Sequence, residues 1–83
     1  MQFTYTAIAQ EHFKRLSPQT RKRIAEKMRF YADQPEPLAF AEPLSGSASY
    51  RFRIGDYRVI FEVLHGVGWV LAMRRRDESY RQR

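Results

Sequence analysis

The chain has 83 residues, 43% of them hydrophobic and 14% aromatic, which bounds it to one small domain with a thin core. It has no Cys and two His, His12 and His65, which excludes disulfides, thiolate catalysis, Cys-zinc sites and a His-rich metal site, and neither metal nor cofactor is expected. Fifteen Lys and Arg against nine Asp and Glu leave a net charge of +6, and twelve of those cations are Arg, so the expected partners are RNA, DNA or an acidic protein.

Gln2 to Thr6 alternates polar and apolar residues, with Phe3 and Tyr5 on one side, and predicts a short strand. Ile8, His12, Phe13 and Leu16 fall at helical spacing and predict a helix from Ala7 to Leu16. Ser17-Pro18 then reads as a second helix start, with Ser as N-cap and Pro at the first helical position. Ile24, Met28 and Tyr31 make its apolar stripe, thickened by Ala25 and Ala32, and Pro35 and Pro37 end it. The short connection predicts an antiparallel helical hairpin over residues 7–33. Gln34 to Ser49, with its prolines and serines, reads as a long connector. After it the period changes to two. Tyr50 to Ile54, Tyr57 to Leu64 and Trp69 to Arg74 predict three strands, separated by turns at Gly55-Asp56 and His65 to Gly68. The expected fold is α+β: an N-terminal strand, a helical hairpin, then a three-stranded antiparallel meander over 49–75 with both helices on one sheet face. The first strand is expected antiparallel to the last strand or at the sheet edge. The longest apolar run, Val67 to Met73, is too short to cross a membrane, and no secretory signal is legible, so a cytoplasmic location is expected.

A two-residue turn at Gly55-Asp56 sets a register. It places Tyr50, Phe52, Ile54, Tyr57, Val59, Phe61 and Val63 on the face the helices cover, and Arg51, Arg53 and Arg58 on the other. Arg53 falls directly across from Arg58. Like charges so placed are destabilising, and a bound anion is the function that would reward them. With either a two- or a four-residue turn at His65-Gly66, Met73 and Arg75 fall on the same side as Arg58, and Arg74 and Arg76 flank the cluster. Depending on the turn, Ile60, Trp69 and Leu71 join this face, covered either by a partner protein or by the chain's own tail or connector. Tyr80 stands nearby in sequence, as a packing anchor for the tail or as a phenol for proton transfer or stacking on a base. His12 and His65 read as an ordinary helix-surface and turn histidine.

From Leu44-Ser45-Gly46 through Tyr50-Arg51-Phe52-Arg53-Ile54-Gly55-Asp56-Tyr57-Arg58-Val59 to Glu62-Val63, the chain resembles the RelE/ParE superfamily of bacterial toxins. The ending Arg74-Arg75-Arg76-Asp77-Glu78-Ser79-Tyr80-Arg81 is similar to that family's terminal basic pair, acidic residue and tyrosine. The RelE branch is known as ribosome-dependent mRNA endonucleases, and the ParE branch poisons DNA gyrase. The resemblance implies a toxin of a type II toxin–antitoxin pair, nearer the RelE branch. Its implied partners are an antitoxin with an acidic toxin-binding segment, the ribosome and mRNA, with no membrane and no metal. It also implies catalytic roles for Arg53, Arg58, Arg75, Arg76 and Tyr80, and phosphate binding by Arg51, Arg53, Arg58 and Arg74. Arg51 and Arg53 stand where RelE-type nucleases commonly have two lysines, and Arg74-Arg75 replaces a usual Gly-His. Arginine keeps the charge but moves no proton at neutral pH, which leaves Tyr80 as the expected proton-transfer group. The alternatives are a ParE-like gyrase inhibitor and a degenerate RNA-binding member.

Overall fold

Two hydroxyl side chains start the helices. Thr6 Oγ1 accepts the Ala9 N–H at 3.1 Å and Ser17 Oγ accepts the Thr20 N–H at 3.2 Å. Each satisfies a donor that a helix leaves unpaired in its first turn. The computed structural model describes residues 1–76. It runs β1 (Gln2–Tyr5), α1 (Ala7–Lys14), α2 (Pro18–Ala32), a 3-10 turn (Pro37–Phe40), β2 (Glu42–Pro43), β3 (Ser49–Ile54), β4 (Tyr57–Leu64) and β5 (Val67–Arg75). The strands form one mixed sheet in the order β1-β5-β4-β3-β2.

Both meander turns have two residues, as the pairings Ile54 to Tyr57 and Leu64 to Val67 require. Gly55 takes φ +59°, as the first position of a type II′ turn demands. His65 and Gly66 both have positive φ, +51° and +77°, the type I′ pattern. His65 is therefore accounted for by turn geometry, to which His is better suited than most side chains.

The register predicted for β3 and β4 is the one observed, including Arg53 opposite Arg58. Phe52, Ile54, Val59 and Phe61 are buried together with Ile24, Met28 and Tyr31 of α2, while Tyr50, Tyr57 and Val63 pack at the margin. The centre is aromatic. Tyr31 stacks on Phe52 with ring centroids 4.0 Å apart, Phe52 on Phe61 at 4.6 Å, and Phe3 meets both phenylalanines edge-on. Fully burying one such side chain stabilises by about 1.5–3 kcal/mol, so Phe52 and Phe61 alone are a large share of a small domain's stability. Burial also pushes the phenol of Tyr31 above its usual pKa.

Three expectations need correction. The first strand lies at the sheet edge, but it pairs with β5 in parallel, Gln2 with Val67 through Tyr5 with Val70. The reason lies in the helix it leads into. Thr6 N–H continues the ladder to Val70 O, and α1 then lies along β5, where His12 Nδ1 accepts the Met73 N–H at 3.1 Å. The helix takes over the edge of β5 where β1 stops, and only a parallel β1 delivers it there. His12 is thus a half-buried acceptor tied to the sheet, not an ordinary surface histidine. Second, the connector contains β2, which adds a short strand beside β3. Third, β5 carries a bulge: Ile60 pairs with Ala72 but Phe61 pairs with Val70, so Leu71 is an extra residue. Every residue beyond it exchanges faces. Met73 therefore faces the core opposite Val59, Arg74 lies opposite Arg58, and Arg75 lies opposite Tyr57 on the helix side.

Gly68 pairs with Phe3 across the β1–β5 ladder, and a Cβ built there would clash with the Phe3 ring. The ring cannot retreat, because it is wedged edge-on against Phe52 and Phe61. Gly68→Ala should therefore destabilise the fold by about 1–3 kcal/mol, the usual scale of overpacking. Urea denaturation should show a lower midpoint with an unchanged slope.

Candidate functional site

The sheet face opposite the helices is assembled by register. Arg53, Arg58 and Arg74 stand side by side across β3, β4 and β5. Directly paired side chains begin only about 5 Å apart, so this row concentrates positive charge that folding alone would disperse. One rung further from the Gly55 turn on the same face come Arg51, Ile60 and Ala72. Arg58 is only 8% exposed, so its cation is sequestered rather than splayed into water. Guanidinium is the weakly hydrated cation that tolerates such a place.

Glu42 is the residue sequence reasoning missed. It sits on β2 opposite Arg51. Its Oε1 accepts Nε–H bonds from Arg51 at 2.8 Å and from Arg53 at 3.0 Å. The hydrogen bond from Arg51 is the main reason its carboxyl titrates below the usual carboxylate range; the nearby charges of Arg53 and Arg51 add to it. In sequence Glu42 is one of two carboxylates before a proline in an aperiodic connector, Glu36 being the other. Nothing but the β2–β3 pairing brings it to the arginines.

The other expected site residues divide. Arg51, Arg53 and Arg58 share the open face as anticipated, and Arg74, expected only to flank it, joins them there because of the bulge. Arg75 does not, because the bulge turns it to the helix side. Arg76 follows it, and its backbone N–H donates to Asp56 O at 2.8 Å, tying the end of β5 to the Gly55-Asp56 turn. Arg58, Arg75 and Arg76 each have an interaction partner. Tyr80 lies outside the described residues. Ile60 and Trp69 lie on the open face, Trp69 opposite Glu62, whereas Leu71 is the bulge residue. Among the described residues no cluster of His, Cys, Asp or Glu could hold a metal ion, and no helix is long and apolar enough to cross a membrane.

Chemically, the row offers fixed donors to an anion with several oxygens, the geometry guanidinium forks match. Glu42 offers on its flank a carboxylate that is ionised at neutral pH. Guanidinium cations and a carboxylate thus lie within one hydrogen bond of each other.

Residues 3–80 match the family described as ParE toxin of type II toxin-antitoxin system, parDE. No curated protein matches the chain. Among solved structures, the chain is similar to a RelBE toxin–antitoxin complex from Mycobacterium tuberculosis, with TM-score 0.76, 23% identity, and 90% of this chain and 96% of that chain covered. It is also similar to an archaeal RelE-RelB complex from Pyrococcus horikoshii, with TM-score 0.73, 26% identity and coverage of 90% and 93%. The intact E. coli RelBE complex aligns with TM-score 0.72, 18% identity and coverage of 89% and 94%.

The Glu42 bridge makes a pH prediction. A carboxyl with a depressed folded-state pKa adds stability that is present above its unfolded value and lost as pH falls through the folded one. A carboxyl-carbon NMR titration should place Glu42 below its usual 4.5, and Arg51→Ala should raise it more than Arg53→Ala does. Glu42→Gln should remove this component from the acid side of the stability profile, as read by thermal unfolding from neutral pH down through the Glu42 titration.

Proposed function

The chain belongs to the ParE toxin family of type II toxin–antitoxin systems, and from that premise we propose that it is a metal-independent endonuclease acting on mRNA at the translating ribosome. The observation that supports this reading is the row Arg53, Arg58, Arg74 with Glu42 on its flank. Its cognate partner is an antitoxin, as in the RelBE and RelE-RelB complexes it is similar to. The toxin-binding segment of that antitoxin is acidic, matched to a chain of net charge +6.

RNA brings its own nucleophile, the 2′-OH. As the scissile phosphate enters, it competes with Glu42 for the donors of Arg51 and Arg53. Glu42 then loses the hydrogen bonds that hold its pKa down, and its proton affinity rises where the 2′-OH must be deprotonated. The 2′-oxygen bonds to phosphorus, its proton passes to the Glu42 carboxylate, and the P–O5′ bond breaks. Arg53, Arg58 and Arg74 donate to the non-bridging oxygens as charge develops, each well-placed donor contributing about 3 kcal/mol. Tyr80 donates the proton taken by the departing O5′. The products are a 2′,3′-cyclic phosphate and a 5′-OH.

In a translating extract the protein should produce new mRNA ends of that chemistry. Glu42→Gln should lower the single-turnover rate by about 10²-fold or more, the scale of one general base, and Tyr80→Phe by a similar factor. A parallel gyrase assay decides the other reading: intact mRNA with gyrase-dependent DNA cleavage would make this a gyrase inhibitor. Arg58→Ala should relieve growth inhibition in either case. With Arg58 nearly buried, its loss should also lower stability measurably, so the variant needs a circular dichroism control.

A further inference from the structure

The open sheet face does not end at the arginines. Two rungs beyond Arg58 along β4, on the same face, lies Glu62, and opposite it on β5 lies Trp69. Four residues at a strand's rise set the two rows about 13 Å apart. Between them on β4 and β5 lie Ile60 and Ala72, both partly buried. Trp69 is 43% exposed although β5 is an interior strand with neighbours on both sides. The bulge at Leu71 leaves Trp69 on the open face while it carries Arg74 to that face as well.

Resting on the nuclease reading, we propose that Trp69 is a stacking platform for a base of the bound single-stranded RNA, a few nucleotides from the phosphate held by Arg53, Arg58 and Arg74. Phosphates on the arginine row lay the strand along the sheet face, and an indole is the widest aromatic surface on which a base stacks. The charge of this face favours nucleic acid over an apolar protein segment. Around the ring lie Leu64, Val67 and Ile60 together with the carboxylate of Glu62, which accepts from the Ser49 hydroxyl at 3.2 Å. The nearest charged row on this face is cationic, which complements a polyanion. Trp69 is thereby a specificity and affinity determinant that takes no part in the bond-making step.

Trp69 is the chain's one tryptophan, so its fluorescence reports this position without background. The probe is a short 2′-O-methyl oligoribonucleotide, which binds as RNA but has no free 2′-OH to cleave. Binding is followed by anisotropy of a dye on the oligonucleotide and, separately, by indole emission. Saturable quenching that tracks the anisotropy curve is expected. Trp69→Ala should weaken binding roughly 5- to 150-fold, the range that one base–aromatic stack supplies, and Trp69→Phe should retain most of the affinity. The slope of affinity against salt should be the same in all three proteins, because no phosphate contact is lost. Binding by anisotropy with unchanged indole emission and unchanged Trp69→Ala affinity would overturn the stacking role and leave the nuclease reading standing. No binding of the oligonucleotide at low salt would overturn the stacking role, while the mRNA ends produced in the translating extract decide the nuclease reading separately. If Trp69→Ala fails to fold, the emission of the unmodified protein and the Trp69→Phe affinity still decide the question.

Discussion

Side chains on a strand alternate between faces, so one extra residue exchanges every position beyond it. The bulge at Leu71 is that residue, and both halves of this molecule depend on it. Without it Met73 would face the arginines and Arg74 would face the core. With it Met73 closes the core opposite Val59, and Arg74 completes the cationic row beside Arg58. Upstream of the bulge, Val70 lies against Phe61 and Gly68 admits the Phe3 ring. One irregularity therefore reconciles a buried methionine and an outward arginine on adjacent positions of the same strand. Bulges near functional faces commonly serve to re-aim a side chain in this way.

The cationic row is a cost that the rest of the sheet offsets. Like charges in adjacent register repel, and Arg58 is also largely removed from water. The aromatic stack on the opposite face supplies the stabilisation that holds the register, and the two tight turns prevent a slip that would relieve the repulsion. Glu42 reduces the repulsion at the β3 end, bridging Arg51 and Arg53.

The family membership and the fold are secure on different grounds. The toxin family rests on a match across residues 3–80, whereas similarity to RelE structures at 18% to 26% identity speaks to the arrangement of strands and helices. Function lives in the side chains placed on that arrangement. Here those are arginines, which hold charge but move no proton at neutral pH, with the Glu42 carboxylate hydrogen-bonded to two of them.

Local chemistry was enough to read most of the architecture. The Ser17-Pro18 helix start, the Gly55-Asp56 turn and the strict alternation of Tyr50 to Ile54 are short-range signals, and they carry the α+β order, the core face and the Arg53–Arg58 pairing. Three site residues, Arg51, Arg53 and Arg58, were legible as one cluster, because a two-residue turn converts sequence distance directly into opposition; alternation alone assigns the fourth place on that face to Arg75, and Arg74 takes it. The features that stayed hidden depended on contacts between distant segments. The bulge has no signature in β5 itself; it exists because Met73 gains more from the core, and its N–H from His12, than an unbroken ladder would return. The parallel pairing of β1 comes from where α1 must lie on β5, and Glu42 reaches the arginines only because an aperiodic connector closes onto the sheet edge as β2. Alternation and turn chemistry act over a few residues and can be read along the chain. A register shift, an edge partner and an ion pair across the edge are decided by which distant surfaces meet, and only the folded structure settles that.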